Sequence, residues 1–127
     1  MKGLLIKSPH IDNILRRRNT WEIRGTNTKE LNSTIALIKS GSGMVVGKCK
    51  IAAVRGPLNR DEMERNETRH LVETSRIDEV LKRYKTYYAW ELSHVVRLTS
   101  PVRYEHPSGA VIWVTLAPSV AAQVAQG

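Results

Sequence analysis

Phenylalanine is missing from the 127 residues, cysteine occurs once, and the apolar runs are all short. Each shortage excludes something. Without Phe, the three Trp and four Tyr must supply the large rings of the core, so at most one or two of them are expected to be left for a ligand. The lone Cys49 has no partner for an internal disulfide. It reads as a small apolar core residue rather than a nucleophile, and a reducing cytoplasm is the expected location. A helical membrane span needs about 20 successive apolar residues, whereas the opening run Gly3-Leu4-Leu5-Ile6 is short. Neither a membrane partner nor a signal peptide is expected. His10, His70, His94 and His106 fall at no metal-ligand spacing, so no metal site and no cofactor are expected. His10 is the one histidine placed to serve as an acid or base. The turn Lys39-Ser40-Gly41-Ser42-Gly43 can offer backbone N–H groups to an anion but lacks the Walker spacing of a nucleotide triphosphatase.

Positive charge is what the chain has in excess. The net charge is +8, and it is uneven: residues 1–60 hold twelve Lys/Arg against three Asp/Glu, whereas residues 61–91 hold six against eight. A one-sided excess attracts polyanions. An apolar content of 41% is enough for one core, so residues 1–127 are expected to form a single domain.

Hydrophobic patterning predicts about six strands: Gly3–Lys7, Thr20–Arg24, Thr34–Ile38, Met44–Val54, Thr86–Leu98 and Ala110–Leu116. Gly47 marks a bulge in the fourth. Ser8-Pro9 opens a short helix with Ser8 as cap and Ile11, Ile14 and Leu15 as its apolar stripe, and Arg16-Arg17-Arg18 suit its C-terminal dipole. A charged helix from Arg60 to about Glu73 is capped by Asn59. A second, capped by Thr74 or Ser75, runs to Arg83. Ser100-Pro101 bends the chain, and Pro118–Gln126 closes it as a helix. This order predicts an α+β fold: a small mixed β-barrel of about six strands with flanking helices.

The second strand organises the rest. Alternation puts Trp21 and Ile23 on one face and Thr20, Glu22 and Arg24 on the other. The apolar pair anchors the strand, and the polar trio requires water, partners or a ligand.

The run Ile14-Leu15-Arg16-Arg17-Arg18-Asn19-Thr20-Trp21-Glu22-Ile23-Arg24 resembles the Gly-x-Lys-x-x-Glu-x-Arg signature of the ASCH domain, a branch of the PUA-like superfamily. Glu22 and Arg24 match it; Arg17 stands at the glycine and Asn19 at the lysine. Ser8-Pro9, Ile35-Ala36-Leu37-Ile38 with its glycine-rich turn, Tyr88-Ala89-Trp90 and Gly109-Ala110-Val111-Ile112-Trp113-Val114 agree in order and spacing. The resemblance implies a small β-barrel with a cleft that binds RNA, similar in some members to ribonucleases and in others to amidohydrolases acting on modified nucleosides. It implies that the motif lysine assists nucleophilic attack in hydrolytic relatives. Asn19 can neither carry a charge nor act as a base, which leaves Lys7 or Lys39 as substitutes.

Three readings follow. The first is an RNA- or nucleotide-binding domain with a basic cleft floored by Thr20, Glu22 and Arg24 and bordered by Ser8, Arg16, Arg17, Arg18, Asn19 and Ser40. The second is a metal-independent ribonuclease or nucleoside amidohydrolase, with Glu22, Lys7 and Lys39 as catalytic groups. The third is a protein-interaction module using the mixed-charge segment 60–83. For each group a purely structural role is the competing reading: an ion pair for Glu22 and Arg24, a solvated helix end for Arg16–Arg18, and a plain turn for residues 39–43.

Overall fold

The computed structural model describes all residues, Met1–Gly127. Six strands form one mixed sheet: β1 Lys2–Ile6, β2 Trp21–Arg24, β3 Thr34–Lys39, β4 Met44–Arg55, β5 Tyr88–Arg103 and β6 Trp113–Thr115. Their spatial order is β2-β5-β4-β3-β1-β6, with β1 and β3 parallel and every other neighbouring pair antiparallel. The sheet curls into a half-barrel, the α+β architecture expected from the sequence.

Alternation along the strands gives the sheet two apolar faces. On one, Leu4, Ile6, Ile35, Leu37, Cys49, Ile51, Trp90 and Leu92 pack against Ile11, Ile14 and Leu15 of the short helix α1, His10–Leu15. On the other, Leu5, Ala36, Ile38, Val45, Leu98 and Val114 pack against Val124 of α5, Pro118–Gln126. Lys48 crosses to that helix and donates its Nζ to the carbonyls of Val124 and Ala125, at 3.1 and 3.0 Å. A cation at orphan C-terminal carbonyls satisfies them and complements the helix dipole.

Between β4 and β5 the chain makes a helical excursion: α2 Arg60–Arg65, α3 Glu67–His70, a single 3₁₀ turn Thr74–Arg76 and α4 Ile77–Arg83. Asn59 caps α2 with a complete capping box, reciprocated by Glu62. The excursion buries Leu58, Met63 and Ile77 against Trp21 and Ala89, the third apolar cluster.

Several sequence expectations are corrected. The predicted helix 60–73 divides at Asn66, whose side-chain amide bonds back to the Glu62 carbonyl. The turn at Thr74 receives no side-chain cap; Thr74 instead donates its N–H to Glu67. Ser8 does not cap α1, because its hydroxyl donates to the Asp12 carboxylate at 2.5 Å. Ser100-Pro101 does not end β5, which continues to Arg103. Proline is tolerated there because it falls between the Gly47↔Arg97 and Val45↔Val102 pairs, where β5 carries surplus residues and no ladder N–H is required. The last strand is shorter than predicted, since Val111 and Ile112 remain outside it and exposed. Gly47 does lie at a register shift of β4; a Cβ there would meet the Val96 carbonyl oxygen at 2.9 Å and the Leu15 side chain at 2.5 Å.

Candidate functional site

Strand β2 is an edge of the sheet, and its two faces have different fates. Trp21 is buried under the helical excursion, with the Arg69 guanidinium 5.3 Å from its ring centroid. Glu22 and Arg24 lie on the other face. Glu22 is 7% exposed, and its carboxylate accepts from the Arg24 guanidinium at 3.0 Å. The same guanidinium nitrogen donates to the Leu5 carbonyl at 2.8 Å. Since β1 and β2 are not ladder neighbours, this side chain links the edge strand β2 to a strand outside its own ladder. The ion pair expected as the structural alternative is therefore present, and it reaches solvent mainly through Arg24, whose side chain is 16% exposed.

Trp90, directly opposite Glu22 on β5, is fully buried and lies 5.8 Å from the Arg24 guanidinium, within cation–π range. Trp113 stacks on Trp90 with ring centroids 5.8 Å apart and planes 17° from parallel. Trp113 is half-buried. Cys49 also belongs to this neighbourhood: burial, and secondarily the Glu22 charge, push its thiol up to about 12. It therefore stays protonated and inert at neutral pH.

A basic cluster adjoins α1. Asp12 is held below the ordinary carboxylate range, first by the Ser8 hydroxyl and then by the fields of Lys39, Arg16 and Arg97, which outweigh its partial desolvation. These three cations come from a strand end, a helix end and β5, and they act on Asp12 through their fields rather than by an ion pair. Arg97 was not legible as part of this group, since nothing in its local sequence marks it. Lys7, Ser8, His10, Arg16, Arg18 and Ser40 are exposed, and Lys39 is half-buried at the end of β3.

Arg17 and Asn19 need separate accounts. Arg17 adopts φ +60°, the left-handed conformation that suits glycine. Its guanidinium donates to the Val95 carbonyl at 3.2 Å. Asn19 is 2% exposed, and its Oδ1 is sealed from water without a donor. Thr20 lies one residue before β2 and is exposed; its N–H donates to the Arg69 carbonyl and its carbonyl accepts from Leu92.

Elsewhere, Ser42 closes the 39–43 turn by donating to the Lys39 carbonyl and accepting from the Met44 N–H. Two surface hollows lie away from Glu22 and Arg24. One of about 590 Å³ is lined by Tyr104, Thr115, Leu116 and Ser119, and one of about 270 Å³ by Lys48, Lys50 and His94. No helix is long and apolar enough to cross a membrane.

No protein-family profile and no curated protein matches the chain. Solved structures do. The ASCH protein from Zymomonas mobilis superposes with a TM-score of 0.77 over 98% of this chain and 93% of its own, at 11% sequence identity. Two variants of that protein, one serine-to-alanine and one tyrosine-to-phenylalanine, superpose with TM-scores of 0.75 at 12% identity, each over 98% of this chain and over 94% and 96% of their own. The likeness is one of fold: over nearly its whole length the chain has the fold of these ASCH structures, as the run Ile14–Arg24 suggested.

Proposed function

We propose that this ASCH-fold domain binds RNA or a nucleotide at the open side of its half-barrel, where Glu22 and Arg24 form the floor. Thr20 flanks that floor, and Lys7, Ser8, Arg16, Arg17, Arg18, Lys39 and Ser40 form a basic rim, joined by Arg97; Asn19, expected from the sequence to contact the ligand, is 2% exposed and lies beneath the surface instead. The carrying observation is that Arg16, Lys39 and Arg97, whose fields reach the carboxylate of Asp12, make no ion pair with any acidic side chain. One acid among three bases leaves a positive field that a phosphate backbone would neutralise. Arg24, oriented by Glu22 and the Leu5 carbonyl, presents a fixed guanidinium of the kind that recognises phosphate or a base edge. The buried lone thiol of Cys49 is consistent with a cytoplasmic setting.

The test is binding to a panel of single-stranded and hairpin RNAs as salt is raised. Affinity is expected to fall steeply, with a log–log slope of about −0.7 for each phosphate contacted on a single strand. Absence of binding throughout the panel, or binding indifferent to salt, overturns the reading. Arg17→Gly sharpens the test: glycine fits the φ of +60°, so the fold is retained while affinity drops.

The hydrolytic alternative draws support from Glu22, a mostly buried carboxylate held 3.0 Å from the Arg24 guanidinium. In it Glu22 serves as general base, and Lys7 or Lys39 supplies the cation that Asn19 lacks. Glu22→Gln would then abolish turnover of RNA or an N-acylated nucleoside with the fold intact; turnover surviving in that variant removes Glu22 from the mechanism.

A further inference from the structure

The rings of this chain are mostly committed. Trp21 is covered by the helical excursion and Arg69. Trp90 is 1% exposed. The Tyr87 hydroxyl donates to the Leu81 carbonyl. Tyr84 fills the space beside Gly25, where a Cβ would lie 2.4 Å from its ring. Tyr104 is buried and donates to His106 or accepts from it at 2.9 Å. Tyr88 rests against Gly56. Trp113 is the remaining case. It stacks on Trp90 and is half-buried, as Tyr84, Tyr87 and Tyr88 are, but its chain neighbours Val111 and Ile112 are exposed.

Its position joins it to Arg24. Leu4 pairs with Trp113 across β1 and β6. The next residue, Leu5, donates its N–H to the Ile112 carbonyl at 2.9 Å and accepts the Arg24 guanidinium on its own carbonyl at 2.8 Å. One residue of β1 therefore holds the Arg24 head and the approach to Trp113 side by side. Beside Trp113 the chain leaves Val111 78% and Ile112 39% exposed, an apolar approach to the ring.

We infer that Trp113 is a stacking platform for one unpaired nucleobase of a single-stranded RNA, with Arg24 beside it taking the adjoining phosphate or base edge. The inference rests on the RNA-binding reading above and specifies where the base sits. Trp90 stiffens the platform from beneath, and its cation–π contact with Arg24 fixes the guanidinium relative to the indole pair. Stacking on an indole tolerates any base, because every base has a π face. Base identity is therefore expected to matter little at this position, whereas the presence of a base matters a great deal.

The experiment uses the intact protein and a fluorescently labelled single-stranded oligoribonucleotide, read by anisotropy, with tryptophan emission recorded in parallel. Trp113→Leu is expected to weaken binding on the order of ten-fold with an unchanged salt slope, and Trp113→Tyr to retain most of the affinity. RNA should quench the tryptophan emission of the wild type more than that of either variant. Because loss of Trp113 could loosen Trp90, a second arm leaves the protein untouched: an abasic site is walked along the oligonucleotide, and one position is expected to reproduce the ten-fold loss. Wild-type binding that is equally strong for Trp113→Leu and for every abasic oligonucleotide overturns the platform and leaves the RNA reading standing. Failure of the wild type to bind any RNA overturns both.

Discussion

The helical excursion between β4 and β5 and the basic face around α1 are both dense in charge, and they dispose of it in opposite ways. In the excursion Arg60 pairs with Glu64 and Asp78, Arg65 with Asp61, and Arg76 with Glu79. These partners lie on the same or neighbouring short helices and neutralise one another in water. On the basic face, Lys39, Arg16 and Arg97 form no ion pair, and Arg17 and Arg24 spend hydrogen bonds on backbone carbonyls rather than on carboxylates alone. Charge density therefore does not separate a solvated scaffold from a ligand surface; the balance of sign within about a Debye length does. The excursion, expected from its mixed charge to be a protein-contact surface, pairs Arg60, Arg65 and Arg76 within itself, whereas under the RNA-binding proposal the face around α1 keeps its field for an external anion.

The largest effect that would sharpen this contrast concerns Glu22 and Arg24, where charge is buried as well as paired. Arg24→Ala leaves the Glu22 carboxylate without its partner and should cost about 3 kcal/mol in a urea titration. Adding Glu22→Gln should restore part of it. A loss below about 1 kcal/mol would mean that water reaches the carboxylate freely.

Next in size is a comparison of two triple variants in RNA binding. Arg16→Ala/Arg18→Ala/Arg97→Ala should lower affinity on the order of ten- to a hundred-fold and flatten the salt slope by about 2. Arg60→Ala/Arg65→Ala/Arg76→Ala should change neither. Equal losses in the two would break the distinction between the regions.

The excursion has its own pH dependence. His70 is 1% exposed; its Nε2–H donates to the Met63 carbonyl at 2.6 Å and its Nδ1 accepts from the Val72 N–H at 2.9 Å. Burial lowers its pKa, and the Met63 bond and the Glu67 charge offset this only in part. The unfolded chain therefore binds a proton first. Stability is fully present above the unfolded value of about 6.5 and is lost as pH falls from there toward the depressed folded value, at up to about 1.4 kcal/mol per pH unit. Urea midpoints at pH 7.5, 6.5 and 5.5 measure this slope. His70→Asn should lose that dependence, and an unchanged slope in the variant would assign it to other groups.

The smallest effect belongs to the exposed pairs. Arg65→Ala removes an ion pair whose partners are both well exposed and should shift stability by less than about 0.5 kcal/mol. A larger shift would show that the excursion depends on its ion pairs and not only on Met63, Ile77 and Trp21.

Much of the fold was legible in the residues because it follows from local patterns. Period-two alternation marked β2 through Glu22 and Arg24, β-branched runs marked β3 and β4, Gly47 marked the bulge, and Asn59 marked a helix start. The misreadings came where distant contacts overrule local propensity. Pro101 remains inside β5 because the sheet has a slack stretch there. Ser8 turns from the backbone to Asp12. The helix expected over 60–73 breaks at Asn66, and an asparagine side chain bonds as readily to a backbone carbonyl as it continues a helix.

The site divides along the same line. Residue order alone determined that Glu22 and Arg24 would share a face, that Trp21 would oppose them, that the first half of the chain would be basic, and that Cys49 would have no internal disulfide partner. It could not determine that Leu5 would receive Arg24, that Arg97 would join Lys39 and Arg16 around Asp12, or that Trp113 would settle on Trp90. Those groups lie far apart along the chain, and their meeting depends on strand order and curl. Alternation and charge are set by neighbours in sequence, whereas the field and the stacked rings come from neighbours in space.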